Sequence, residues 1–194
     1  MKIKKKTLVI VSVIIVVVSV VSVFIFTQLI NPLKCTFVEA KTYKYIGEEY
    51  SGIIETEYKE AKDGLRSDIQ LISDVDYDFS NPDDFSHILL FYDVTNRSAF
   101  RIDNIEFFVT DIKGAEDRFL CKLDAAVTQS VGIGDTTQIR CDLYMYTKDL
   151  SEVEISDLVS GIKIELQYTQ NIWGTKNQSI TIPKNLAFSE NVTK

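Results

Sequence analysis

The chain has 194 residues, of which 45% are apolar and 11% aromatic, enough to build a packed core. This composition excludes a disordered chain and leaves room for one domain of about 100 to 200 residues with appended segments. A net charge of −7, from 28 acidic and 21 basic residues, argues against nucleic acid as a partner, because that binding depends on clustered positive charge. One His and three Cys offer little for metal or nucleophilic chemistry, so we expect neither a cofactor nor enzyme activity.

The first thirty residues carry a long apolar run. Residues 7–33 have no formal charge, and between positions 8 and 26 only three serines interrupt Val, Ile, Leu and Phe. At about 1.5 Å per residue, residues 8–30 form a helix of roughly 35 Å, enough for a hydrocarbon core of about 30 Å. A cleaved signal peptide has a shorter apolar stretch, of about 7 to 15 residues, followed by a small-residue cleavage site. The sequence therefore predicts an uncleaved transmembrane anchor at 7–30.

The charges beside this run predict its orientation. Four of the first six residues are lysine, and the positive-inside rule places that 1–6 tail in the cytoplasm and the remainder of the chain outside the cell. Without those four lysines, 17 bases face 28 acids, and the exported part has a net charge near −11. It should be repelled by anionic lipid surfaces rather than adsorb to them.

After the apolar run the hydrophobic pattern changes from continuous to alternating. Seven short runs alternate apolar and polar residues and end in turn-forming residues, a pattern typical of half-buried strands. They lie at 69–79, 88–94, 105–109, 119–123, 139–145, 162–168 and 180–182. Without a strong helical period between them, these runs predict an all-β fold, an antiparallel β-sandwich over residues 66–184.

Three further segments fall outside this regular pattern. Residues 31–65 are rich in Tyr, so we expect a juxtamembrane segment that packs partly on the sandwich, with a helix possible at Glu55–Ala61. Residues 147–160 contain helix-capping residues and predict a short helical turn that crosses between the two sheets. Residues 185–194 are expected to form a C-terminal tail.

A family resemblance is carried by residues 94–114 and by a later turn. The runs Val94-Thr95-Asn96-Arg97-Ser98, Ile102-Asp103-Asn104-Ile105 and Phe107-Phe108-Val109-Thr110-Asp111-Ile112-Lys113-Gly114 precede a Gly134-Asp135-Thr136 turn. Together they resemble the immunoglobulin-like extracellular domains of Gram-positive bacterial surface proteins, in particular the FxLYD and telokin-like groups. Val109 and Thr110 stand where that motif has Leu and Tyr. The resemblance implies an immunoglobulin-like sandwich outside the cell that serves as a binding or spacer module, and it implies no catalytic residues.

Cys121 and Cys141 both take the inward phase of neighbouring predicted strands. In a simple hairpin centred on position 131 they would face each other, and an exported domain meets oxidising conditions that permit a disulfide. The alternative is a pair of buried thiols that act as small apolar side chains. Cys35 is left over near the membrane, either as a free thiol or as a cross-link between two copies.

A row of acidic residues raises the question of a calcium site. Carboxylate oxygens are preferred calcium ligands, and the candidates are Asp74, Asp76, Asp78, Asp83 and Asp84. The EF-hand pattern fails, because Phe79 occupies its Gly position and Phe85 its bidentate Glu position. Alternate acids on a strand more often form a solvated face, which is the interpretation we favour.

Three apolar residues take the outward phase of their predicted strands. Leu89, Phe91 and Phe108 would either pack against residues 36–65 or form an apolar interaction patch, and we favour packing because bare aromatic edges aggregate. His87 lies beside Ser86, too close in sequence to form a catalytic pair with it.

These expectations combine into one functional hypothesis. The chain is a single-pass protein of the cell membrane whose extracellular module binds an unknown protein or cell-envelope partner or has a structural role. The alternative is an accessory or sensor subunit of a membrane complex, in which the transmembrane helix mediates assembly.

Overall fold

The computed structural model describes residues 5–26, 32–43, 48–112, 114–123, 129–171 and 174–190, except for the side chains of 5–8, 48–51 and 190. Its helices are α1 (Lys5–Ile25), α2 (Glu48–Lys62) and α3 (Glu152–Gly161), with a 3-10 turn at Pro82–Asp84. Its strands are β1 (Leu33–Tyr43), β2 (Ile69–Leu71), β3 (Phe85–Asn96), β4 (Ile102–Asp111), β5 (Phe119–Leu123), β6 (Gln129–Val131), β7 (Thr136–Tyr146), β8 (Lys163–Gln170), β9 (Gly174–Ile180) and β10 (Phe188–Glu190). Three predicted parts lie outside the described side chains: the cytoplasmic tail at 1–6, the end of the anchor at 27–30, and residues 191–194 of the C-terminal tail.

The described strands form two sheets. One has six strands in the order β10-β1-β3-β7-β5-β2, and the other has four in the order β6-β4-β8-β9. All neighbouring strands are antiparallel except β1 and β10. The expectation of a β-rich, two-sheet fold is confirmed, while three helices in the described residues depart from a purely all-β chain.

One core lies between the two sheets. The predicted inward phase of β3 is confirmed, since Ile88, Leu90, Tyr92 and Val94 are fully buried. The Tyr92 ring meets the Phe107 ring of β4, in the other sheet, at a centroid distance of 5.3 Å. Period-2 alternation therefore buries one face of each strand against the opposite sheet.

The strand predicted at 69–79 is much shorter in the structure. Only β2 pairs with β5, and residues 72–79 follow an irregular path. Tyr77 and Phe79 pack into a second apolar cluster, whereas Val75 is 41% exposed. Aromatic packing of this stretch, rather than strand pairing, produces the alternation seen in the sequence.

Residues 31–65 contribute a whole strand and a helix. β1 pairs with β3 from Leu33 to Tyr43, with one bulge between Phe37 and Glu39, and it buries Leu33 and Ala40 in the core. The predicted domain boundary at residue 66 therefore excludes an interior strand of the six-stranded sheet.

The helix expected near Glu55–Ala61 is present as α2. It covers the outer face of the six-stranded sheet and buries Ile54 and Tyr58 against Cys121 and Tyr144. The Tyr58 hydroxyl lies 2.9 and 2.6 Å from the carbonyl oxygens of Ser73 and Val75 and shares its one proton between them. These hydrogen bonds hold the irregular stretch beside the helix.

The predicted crossover helix is also present. α3 joins β7 of one sheet to β8 of the other and begins with a capping box, in which the Ser151 hydroxyl and the Glu154 side chain satisfy each other's backbone N–H groups. With ten residues it is longer than the expected turn, because Ile155 and Val159 anchor its inner face in the core.

α1 is apolar on every side. The large side chains described between Val9 and Phe26 are each 43% to 64% exposed. Within the described part of the chain, no helix has both the length and the apolar content needed to cross a membrane.

Candidate functional site

The acidic residues considered for calcium have other partners. The Lys62 ammonium lies 3.0 Å from an Asp74 carboxylate oxygen and 2.7 Å from one of Asp76, and its hydrogen bond holds the pKa of Asp76 below the usual range. Asp78 accepts a hydrogen bond from the Ser80 backbone N–H. Asp84 pairs with Lys148 at 3.1 Å.

Asp74 and Asp76 thus share Lys62, while Asp78 and Asp84 have separate partners. In the ranges that the structure describes, no three His, Cys, Asp or Glu side chains are arranged to hold a metal ion. Asp74, Asp76 and Asp78 are exposed, as expected of solvated acids, but the strand expected to carry them is absent at residues 72–79.

Cys121 and Cys141 are free thiols on opposite faces of the six-stranded sheet. A bulge between Phe119 and Cys121 shifts the register, so that Cys121 lies opposite Tyr144 beneath α2 while Cys141 faces the main core. Of the two alternatives left open by the sequence, the disulfide is therefore absent, and both side chains are buried free thiols. Burial raises the pKa of both thiols to about 12. Cys35 is a free thiol in β1, and burial raises its pKa to about 12 as well.

The three residues of the predicted patch do not share a surface. Leu89 and Phe91 lie on β3, where Leu89 is buried and the Lys41 ammonium of β1 lies 5.1 Å from the Phe91 ring centroid. Phe108 belongs to the other sheet, and the Lys122 ammonium lies 5.1 Å from its ring centroid. Cationic side chains thus cover both aromatic rings, and the apolar patch is not formed.

His87 and Asp142 meet on the outer face of the six-stranded sheet. The His87 Nε2 atom lies 3.5 Å from Asp142 Oδ2, and the other Asp142 oxygen lies 3.0 Å from Arg140 Nε. The Tyr144 ring packs edge-on against the imidazole at 4.7 Å. This arrangement orients the imidazole beside a carboxylate and an aromatic ring.

Two side chains of the six-stranded sheet cover an open edge of the four-stranded sheet. β6 pairs with β4 only near Ile102 and Ile105. Beyond that point, the Gln70 side chain donates to the Val109 carbonyl at 2.7 Å and accepts from the Val109 N–H at 3.0 Å. The Lys122 ammonium donates to the Phe107 carbonyl. The edge is thereby closed to a further strand.

A surface groove lies between α3 and residues 185–188, the segment that leads into β10. Its volume is about 240 Å³, and its lining includes the carboxylates Glu152 and Asp157 and the 70% exposed Val153. Ser156 lies in the same lining, is buried, and has a hydroxyl with no hydrogen-bond partner in the described structure. In the sequence these helix residues predict only capping and a crossover, and nothing in their pattern indicates a groove.

Comparison with known proteins adds little. No family model and no curated protein matches the chain. Among solved structures, a protein from Archaeoglobus fulgidus is 14% identical, over 59% of this chain and 95% of that chain, with a TM-score of 0.28. Neither fold nor function follows from so low a structural similarity.

Proposed function

We propose that this chain is a single-pass membrane protein whose β-sandwich acts outside the cell as a binding or structural module. The observation that carries the proposal is the uncharged run of 27 residues at 7–33, part of which lies beyond the described residues. The exposed apolar side chains of α1 support it, since a helix that is apolar all round requires apolar surroundings.

The order of the strands supports an immunoglobulin-like sandwich. If β1, β3, β4, β5, β7, β8 and β9 are named A to G in chain order, the sheets contain the runs A-B-E-D and C-F-G. That is the arrangement of a seven-stranded immunoglobulin domain. β2, β6 and β10 extend its edges, and α3 takes the place of the E–F connection.

Membrane association tests the first half of the proposal. The full chain in cells should stay with the membrane fraction during alkaline carbonate washing, and protease added to whole cells should digest the sandwich. A Val13→Lys/Val16→Lys/Val20→Lys variant should lose both properties, because charged residues near the bilayer centre each cost about 2.5–3.5 kcal/mol.

Val153→Lys serves as the control for added charge, since Val153 is exposed on α3. Release of the wild-type chain by carbonate, a mature N-terminus near residue 30, or protection of the sandwich from protease would each contradict the proposal.

Photo-crosslinkers at Val16 and Val153 then distinguish the binding module from the accessory-subunit alternative. Capture of a partner through Val16 alone favours the accessory-subunit alternative, and capture through Val153 favours the sandwich.

A further inference from the structure

The groove between α3 and residues 185–188 has a size that matches peptide side chains. Small-molecule and cofactor sites occupy roughly 300–1,000 Å³ and enclose most of the ligand. At about 240 Å³ this groove is smaller than such sites and open along the surface. It accommodates one or two side chains of a longer ligand that continues beyond it.

The lining of the groove defines the chemistry of that ligand. Leu186 and Phe188 provide apolar surface, and Glu152 and Asp157 add two carboxylates, with no cationic side chain in the lining. The Ser156 hydroxyl is buried in the same wall without a hydrogen-bond partner, an uncommon state for a buried polar group. A ligand with apolar and cationic side chains would satisfy the first two features, and rotation of the Ser156 side chain would bring its hydroxyl to the backbone groups of that ligand.

An open strand edge lies beside the groove. Phe188, one of the lining residues, is the first residue of β10, which is the terminal strand of the six-stranded sheet in the described chain. β10 pairs with β1 on one side, and no described strand pairs with its other side. An exposed sheet edge is the setting in which an extended peptide adds a strand and places alternate side chains in pockets.

We propose that this groove binds an extended peptide segment that lies along β10 and directs a Lys or Arg side chain towards Glu152 and Asp157. The proposal rests on the proposed function, because it specifies the partner of the extracellular module. Acidic groups around the groove attract a basic segment and disfavour an acidic one, including a second copy of this strongly acidic chain.

The test is a binding titration with the full chain in detergent micelles. The probe is the fluorescein-labelled peptide Val-Thr-Val-Lys-Val-Thr, and the comparison peptide has Glu in place of Lys. Fluorescence anisotropy should show saturable binding of the Lys peptide and none of the Glu peptide. Glu152→Gln/Asp157→Asn should raise the Kd by about tenfold at low salt, and less at 0.5 M salt where the charges are screened.

Asp63→Asn/Glu116→Gln is the matched control, since it removes the same charge from exposed positions outside the groove and should change the Kd less than twofold. Val153→Lys should weaken binding as the double groove variant does. No binding of the Lys peptide, equal binding of both peptides, or equal loss in the control variant would overturn the proposal. Binding by a chain that ends at residue 190, but not by the full chain, would also overturn the proposal, because residues 191–194 would then occupy the groove. Concentration-dependent self-association that Val153→Lys abolishes would overturn it as well. Carbonate extraction is scored separately, so failure of the peptide proposal leaves the membrane proposal standing, and the reverse holds too.

Discussion

Lys122 places an ammonium group where the chain is almost fully buried. The side chain is 1% exposed, donates to the Phe107 carbonyl and lies over the Phe108 ring. Burial lowers the pKa of Lys122 below its ordinary value of 10.5, because desolvation penalises the charged form. Lys122 therefore closes the sheet edge at an electrostatic cost. Its role in covering that edge accounts for a lysine in the middle of β5.

The lowered pKa of Lys122 gives a testable pH dependence. Between the folded pKa and 10.5 the unfolded chain binds more protons than the folded chain, so the contribution of Lys122 to the free energy of unfolding rises with pH. In urea unfolding of the full chain at pH 7 to 10, the stability of the wild type relative to Lys122→Met should therefore increase with pH. Lys163→Met controls for the loss of one charge at an exposed position. Parallel pH curves for wild type and Lys122→Met would refute the assignment.

The three cysteines make a second prediction at the same scale. Because burial raises the pKa of each thiol to about 12 and limits access, none should react rapidly with a thiol reagent at pH 8 in the folded protein. In urea without reductant, the chain should titrate as three thiols per molecule. A count of one would mean that two cysteines had formed a disulfide, in conflict with their positions on opposite faces of the sheet.

At the scale of elements, α2 stabilises the sandwich by covering one face of its larger sheet. Ile54 is 2% exposed and packs in the cluster beneath the helix, whereas its neighbour Ile53 is 39% exposed. Ile54→Ala should lower the free energy of unfolding by about 2–4 kcal/mol, through lost burial and the cavity it leaves. Ile53→Ala, the matched control, should change it by less than about 1 kcal/mol. Equal losses in urea unfolding would show that α2 does not pack as described.

β1 illustrates why an element can be missed in the sequence. Its residues alternate imperfectly because a bulge between Phe37 and Glu39 changes the phase halfway along, and only Leu33 and Ala40 of the strand are buried in the core. Pairing of ten of its eleven residues with β3 supplies the backbone hydrogen bonds that define the strand. By contrast, the unbroken alternation in β3 predicts both the strand and its buried face correctly.

For the whole molecule, side chains from each sheet close gaps along both sides of the sandwich. Gln70 and Lys122 cover the free edge of β4, and on the opposite side the Gln178 amide donates to the Leu33 carbonyl at 3.2 Å. These contacts satisfy backbone groups that would otherwise be available to another chain. The exposed edges of the two sheets are therefore protected by side chains, without further long strands.

Gln70 provides the test of this role. Gln70→Ala removes both hydrogen bonds to Val109 and should lower the free energy of unfolding by about 1–3 kcal/mol, with increased self-association in sedimentation velocity. Gln138→Ala, at an exposed position of β7, is the control and should leave both properties unchanged. An unaltered Gln70→Ala protein would show that the edge needs no cover.

Hydrophobic periodicity, a local property, was sufficient to predict the β-rich two-sheet fold and the inward residues of β3, because side-chain direction follows the period of the backbone. Capping residues likewise placed α3, since Ser151 and Glu154 interact within one turn. Tertiary structure alone decided three other features: the separation of Cys121 from Cys141, the burial of Lys122 and the acidic groove beside β10. Each depends on register and packing between segments distant in sequence, where one bulge moves a side chain to the opposite face of the sheet.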